Sequence, residues 1–169
     1  GCDKSIPAML MAAARVDLVC CISASPYHRG KGDRREAMLA TRADDCAAAL
    51  AFCNQVGGQD ELVFDGRSAV FDASGELVAR APQFAAHLLV ADIDPGMSAR
   101  RRLREPLSRR LPGAPPERTR RIVALPPGHG GPVAPSRADA LRDEAEVWAA
   151  LVVGIRDYVG KNGFPGVLI

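Results

Sequence analysis

What this chain lacks narrows its roles before anything it contains does. No apolar run approaches the roughly 20 residues needed to span a bilayer, and no secretory signal pattern is visible, so no membrane association is expected. Aromatic residues are sparse, at 5% of 169. The arginine run Arg100, Arg101, Arg102, Arg104, Arg109 and Arg110 therefore stands without interleaved rings on which bases could stack. A formal net charge of +2 is also too small to draw nucleic acid by itself, and no nucleic-acid partner is expected. The five cysteines, Cys2, Cys20, Cys21, Cys46 and Cys53, form no C-x-x-C pair and no zinc-ligand spacing, so no metal site is expected. An odd number, with two adjacent in an apolar run, reads as buried thiols in a reducing compartment, by default the cytoplasm.

What is present suits a soluble globular chain: 47% hydrophobic and 25% charged residues. The ends are less ordinary. The chain opens on Gly1-Cys2 without an initiator Met and closes on the apolar run Gly166 to Ile169. An unpaired hydrophobic strand invites aggregation. The expectation is an excerpt that begins inside one α/β domain and stops on the first strand of another.

Three textures divide it. In residues 1–94, Ile6 to Arg15 has helix propensity. Asp17 to Ala24 is a continuous apolar run, which predicts a strand buried on both faces. A helix is predicted over Asp33 to Ala48, with Met38, Leu39 and Arg42 at helical spacing, followed by a short buried strand, Ala49 to Asn54. From Glu61 the pattern becomes short strands joined by turns, with Ser74-Gly75 as a hairpin signal between Phe71 and Leu77. Phe84 to Asp94 reads as a further strand. Residues 95–137 are rich in Arg, Pro and Gly and read as a linker in contact with solvent or a partner, because Pro and Gly at that density hold neither helix nor central strand. From Ala138 a second unit begins. Its helix carries Leu141, Val147, Leu151, Ile155 and Tyr158 on one face and Asp139, Glu144 and Asp157 on the other. Ser136 is the predicted N-cap, Asn162-Gly163 the stop, and Pro165 to Ile169 the first strand of the new domain.

Three places could carry chemistry. Ser25-Pro26-Tyr27-His28-Arg29-Gly30-Lys31 follows a predicted buried strand, and ligand contacts in α/β sheets gather at the carboxyl ends of strands. A hydroxyl at Ser25 and a cation at Lys31 suit the amino-acid end of a small zwitterion; the plainer reading is a turn. In Asn54 to Ser68, the carboxylates of Asp60, Glu61 and Asp65 offer an acid/base or metal cluster, or simply cap turns. Cys2 is a candidate nucleophile.

The strings ISASPYHRGK, CNQVGGQDELVFDGRS and ARAPQF together resemble the nitrilase-superfamily glutaminase domain of glutamine-dependent NAD synthetases. Independently, EVWAALVVGIRDYVGKNGFPGVLI resembles the helix and strand that lead into the synthetase domain of the same enzymes. The fold class implied is α/β: a partial nitrilase-like α-β-β-α sandwich over 1–94, a linker over 95–137, and over 138–169 the first helix and strand of a second α/β, adenine-nucleotide α-hydrolase-like domain. In that family a Gly-rich S-G-G-x-D-S pyrophosphate loop comes next.

The resemblance implies a chemistry as well. A Glu, Lys and Cys release ammonia from L-glutamine, and the ammonia amidates nicotinic acid adenine dinucleotide that ATP has adenylated. Ser25 and Lys31 match the family's glutamine-contacting Ser and basic residue. Cys2 is the one candidate nucleophile, though Asp3-Lys4-Ser5 follows it where the family has Glu-Asp and an aromatic; the alternative is a nucleophile upstream. The catalytic Glu and Lys, and the sites for ATP and Mg2+, are expected outside this chain, which by itself is expected to bind no cofactor and to be inactive. The parent is expected to be a cytoplasmic homo-oligomer. The competing readings are a fragment of a stand-alone nitrilase-superfamily amidase and a non-catalytic remnant of a broken gene.

Overall fold

Two apolar runs set the layers. In the computed structural model, which describes residues 16–104 and 131–168, they form β1 (Leu18–Ser23) and β2 (Ala49–Asn54), paired in parallel from Leu18 opposite Ala49 to Ser23 opposite Asn54. Parallel neighbours need a crossover, and helix α1 (Lys31–Cys46) provides it. Its buried stripe, Gly32, Arg35, Leu39, Ala43 and Cys46, has the three-to-four spacing of one helix face. Leu39 and Ala43 close over Leu50, Phe52, Ala69 and Phe71 to make the main core.

The sheet then turns antiparallel. Strands β3 (Val56–Gln59) and β4 (Leu62–Asp65) form a separate hairpin. The main sheet continues through β5 (Ala69–Phe71) and β6 (Leu77–Arg80) in the order β1-β2-β5-β6. The predicted Ser74-Gly75 hairpin forms, with Phe71 opposite Leu77. Asp72 Oδ1 accepts from the Ser74 amide, the Ser74 hydroxyl and the Glu76 amide. Gly75 has φ +80°, and a Cβ there would meet the Ala40 carbonyl oxygen at 2.5 Å. The edge of β6 is closed by the chain returning from residue 131 onward: the Arg80 amide donates to the Ser136 carbonyl and the Ala138 amide to the Arg80 carbonyl.

Several expectations are corrected. Strand β1 is not buried on both faces. Its exposed residues Leu18, Cys20 and Ile22 alternate with half-buried ones, and Ile22 is 91% exposed, because among the described residues α1 covers one face of the sheet and no element covers the other. For the same reason Cys20 and Cys53 are exposed; Cys21 is half-buried, Cys46 is buried, and all four are free thiols. Phe84 to Asp94 forms no strand. Phe84 sits at φ +58°, in the left-handed region that breaks an extended run.

The arginine run is not wholly linker. Helix α2 (Pro95–Arg104) begins where Asp94 Oδ1 accepts from the Gly96 amide. Arg101 pairs with Asp44, Arg102 reaches the Val16 carbonyl and Asp17, and the buried Ser98 hydroxyl donates to the Asp17 carbonyl. The helix is thereby tied to α1 and to the residues that lead into β1.

Helix α3 (Asp143–Asn162) starts after Arg142, not Ser136, and stops at Gly163 as predicted, with φ +69°. Its buried residues are Glu146, Ala150 and Val153, whereas Leu151, Ile155 and Tyr158 of the predicted apolar face are more than half exposed. The groove over β3 and β4 explains the choice. A Cβ on Gly58 would lie 3.1 Å from the Gly154 Cα, so backbones meet there and only small side chains fit between them. Residues 165–168 form no strand. The helix predicted at Ile6 to Arg15, Cys2 and residues 105–130 lie outside the described residues.

Behind α1 a cluster of ions ties the helix to β6 and the turn before β5. Burial pushes the Glu36 carboxyl up, but bonds from Arg80 and Arg67 more than offset it and hold it below its ordinary 4.5. A depressed carboxyl contributes stability that is present above 4.5 and lost as pH falls through the folded value. Denaturant midpoints measured from pH 7 down to pH 3 should fall for the native chain, and the fall should be shallower for Glu36→Gln. Gly58→Ala should loosen α3 from the hairpin, read as faster amide exchange in β3 and α3 with α1 unchanged.

Candidate functional site

The loop after β1 is pinned along its length. Its first support is from below: the Ser25 amide donates to Asn54 Oδ1 at 2.9 Å. Pro26 bridges to Phe64, and the Tyr27 amide donates to the Val63 carbonyl at 2.7 Å. The Tyr27 ring meets Phe84 edge-on, with centroids 5.2 Å apart, in a small apolar cluster with Ala150 and Val153 of α3. The Lys31 amide donates to the His28 carbonyl, and Gly30, at φ +72°, turns the chain into α1.

Asn54 belongs to a buried knot. Arg35 donates to Asp65 through both terminal nitrogens, at 3.1 and 2.6 Å, with side chains 5% and 2% exposed. Two parallel bonds of this kind fix orientation as well as distance. The Asn54 side-chain amide donates to Asp65 Oδ1 at 3.2 Å and to the Gly66 carbonyl at 3.0 Å. The Asp65 carbonyl accepts from the Phe84 amide at 2.9 Å, and the Arg35 guanidinium lies over the Phe52 ring at 5.4 Å. Thus α1, β2, β4 and the loop after β1 converge on one carboxylate.

Beside the knot, Arg67 is a buried non-glycine residue at φ +53°. Three contacts hold it there against the cost of that conformation: Nε to Glu36 at 2.5 Å, Nη2 to Asp33 at 2.7 Å, and packing on Gly32. Burial acts to lower its affinity for its proton, but the bonds to Glu36 and Asp33 raise it further. The bond from Arg67 holds the Asp33 carboxyl below its usual range.

The sequence candidates fare differently. Ser25 and Lys31, both half-buried, are brought to the two sides of one turn, where Lys31 Nζ donates to the Pro26 carbonyl at 2.7 Å. Asp60, Glu61 and Asp65 are not brought together: Asp60 and Glu61 sit exposed at the β3–β4 turn, whereas Asp65 is buried on Arg35. Among the described residues no group of three or more His, Cys, Asp or Glu could hold a metal ion. Cys2 lies outside the described residues. Sequence reasoning missed Arg35, Asn54, Tyr27 and Glu146. Only Arg35 left a signal, a cation in register with Leu39 on the buried stripe of α1.

The arrangement presents a hydroxyl and an ammonium group at the carboxyl end of a parallel strand, on a turn whose backbone is fixed from several sides. That combination can receive the charged end of a small amino acid, since a carboxylate could replace the Pro26 carbonyl as the Lys31 acceptor.

Comparison with known proteins places this geometry among relatives. Residues 6–102 match the carbon-nitrogen hydrolase family. The chain is similar to the glutamine-dependent NAD(+) synthetase of Aquifex aeolicus, 39% identical over 94% of this chain and 28% of that protein. It is similar to that of Thermotoga maritima, 41% identical over 96% of this chain and 28% of that protein. The chain thus spans little more than a quarter of the length of these relatives. Among solved structures, a glutamine-dependent NAD+ synthetase from Acinetobacter baumannii, in complex with ADP, superposes with TM-score 0.67 and 30% identity, over 97% of this chain and 25% of that one. A carbon-nitrogen hydrolase from Helicobacter pylori, with TM-score 0.55 and 22% identity over 62% of this chain and 41% of that one, shares the fold.

Removing one member of a buried ion pair strands the other, at a cost of about 3–5 kcal/mol. Asp65→Ala should lose that much stability by chemical denaturation, and Arg35→Met with Asp65→Leu together should lose less than either change alone.

Proposed function

The chain belongs to the carbon-nitrogen hydrolase family, and from that membership we propose that it is the glutamine-holding part of a glutamine-dependent NAD(+) synthetase together with the approach to the synthetase unit. The observation that carries this reading is the extent of the similarity to such synthetases. It runs at 39–41% identity over 94–96% of the chain.

In this reading residues 1–94 belong to the glutaminase unit, 95–137 connect the units and include α2, and 138–169 lead into the synthetase unit. Lys31 pairs with the α-carboxylate of L-glutamine, and Ser25 hydrogen-bonds the same end. Held by that end, the side-chain amide is presented to a thiolate, for which Cys2 is the candidate in this chain. Attack forms a thioester and releases ammonia, and water then hydrolyses the thioester. The ammonia amidates nicotinic acid adenine dinucleotide in the second unit, where ATP with Mg2+ supplies the activation. In this reading the site for that ion lies in the second unit. The parent enzyme works in the cytoplasm as a homo-oligomer. No helix of the described residues is long and apolar enough to cross a membrane.

Loss of a hydrogen bond to a charged group costs about 1.5–3 kcal/mol, or roughly 10- to 150-fold in apparent affinity. In the complete enzyme Lys31→Ala should raise the KM for glutamine by that order while synthesis driven by added ammonia persists. Equal loss of both activities would assign Lys31 a structural role instead. The chain in isolation, without the family's Glu and Lys, should release no ammonia from glutamine in a coupled assay.

A further inference from the structure

The family match ends at residue 102, yet the loop proposed to hold glutamine is gripped by a carboxylate from beyond it. Glu146, in the first turn of α3, is 5% exposed. It accepts from Gln83 Nε2 at 3.0 Å and from the Gly30 amide at 3.5 Å. Among the described residues none of its hydrogen bonds comes from a cation. Burying a carboxylate on neutral donors alone is costly, which makes the placement informative.

Each neighbour of Glu146 is itself fixed. Gln83 Oε1 accepts from the Leu141 amide at 2.8 Å, so the orientation of the Gln83 side chain is set: its oxygen faces Leu141 and its nitrogen faces Glu146. The Tyr27 hydroxyl is buried. Burial first, and the nearby Glu146 charge second, push its phenol above the ordinary range. Arg29, next to Gly30, pairs with Asp143 of the same helical turn at 3.5 Å. Arg29, Gly30, Leu141, Arg142, Asp143 and Glu146 line a small space of about 150 Å³.

We infer that Glu146 is a positioning residue for the glutamine site: from α3, it fixes the turn between Ser25 and Lys31 by holding the Gly30 amide, and Gln83 locks the carboxylate in place. Glu146 itself touches no substrate. The inference rests on the proposed role of the loop and extends it, because the geometry of the glutamine subsite then depends on the seating of the helix that leads to the second unit.

The test uses the complete enzyme and a swap. In Glu146→Gln one oxygen becomes an NH2 group. If that group faces Gln83, two donors oppose each other; if Gln83 flips to accept, the Leu141 amide loses its acceptor. One hydrogen bond is lost either way, and the KM for glutamine should rise about three- to tenfold. The kcat at saturating glutamine and the ammonia-driven rate should both stay within about twofold, as expected when only binding is lost.

The exchanged pair, Gln83→Glu with Glu146→Gln, restores the complement. The carboxylate, now carried from the Gln83 position, accepts from the Leu141 amide and from the side-chain NH2 group introduced on α3. The oxygen of that introduced amide still accepts from Gly30, and the glutamine KM should return towards the native value. An unchanged glutamine KM in Glu146→Gln, or a parallel fall of glutamine- and ammonia-driven rates, overturns the inference, as does failure of the exchange to restore KM. If Glu146→Gln does not fold, the exchanged pair decides alone, by native or raised KM. Lys31→Ala in the same series separates the two claims: if it too leaves the glutamine KM unchanged, the reading of the loop has failed, not merely the role of Glu146.

Discussion

A guanidinium and a carboxylate shut away from water hold the local architecture together. Arg35 comes from the helix over the sheet and Asp65 from the end of β4, and their two-point contact is sealed beneath Phe52. Such a pair adds little net stability compared with well-packed apolar residues, since desolvation offsets most of the attraction. What it does impose is geometry. Asp65 can face Arg35 only if β4 ends where it does. Asn54 can then bridge Asp65 and Gly66 while its oxygen remains free for the Ser25 amide. The strand end, the turn after it and the start of α1 are thereby referred to one fixed point.

The same loop has a second set of supports on its other side. Tyr27 inserts between Phe84 and α3, and Glu146 holds the Gly30 amide. At the far end of α3, Asp157 accepts from the Gly58 amide at 2.8 Å, and Lys161 donates to the Gly58 carbonyl at 2.5 Å. The Gly58 bond is also the main cause that keeps the Asp157 carboxyl below its usual range. The helix therefore fastens to backbone groups, which need small residues opposite them. A loop held between a buried knot and a docked helix responds to displacement of either.

Much of this was legible in the sequence where local periodicity and burial agree. The β1 and β2 runs, helix α1, the Asp72–Glu76 hairpin and the Gly163 stop follow from residue type within a few positions, although of Met38, Leu39 and Arg42 only Leu39 lies on the buried stripe of α1. The failures share a cause, which is contact between segments far apart in sequence. Gly57 and Gly58 lie within β3, where the close approach of α3 leaves no room for a side chain on Gly58. The apolar face of α3 is read from its large residues, whereas the groove selects the small ones and a carboxylate. The arginines of α2 look like a solvated linker until Asp17 and Asp44 are seen beside them. Asp65 looks like a member of an acidic trio because Arg35, its true partner, precedes it by thirty positions. Ser25 and Lys31 are legible as candidates because strand end and turn are neighbours along the chain; the contacts of Asn54, Tyr27 and Glu146 with that loop exist only in three dimensions.

Where glutamine binds is decisive for the proposed function. A crystal structure of the complete enzyme, with hydrolysis blocked and glutamine bound, tests this most directly. The α-carboxylate should lie within hydrogen-bonding distance of Lys31 Nζ, with Ser25 at the same end of the ligand and the Arg35–Asp65–Asn54 knot undisturbed beneath it. Glutamine bound away from the Ser25–Lys31 turn, or a turn that forms its contacts to the ligand only after the knot has opened, would contradict it.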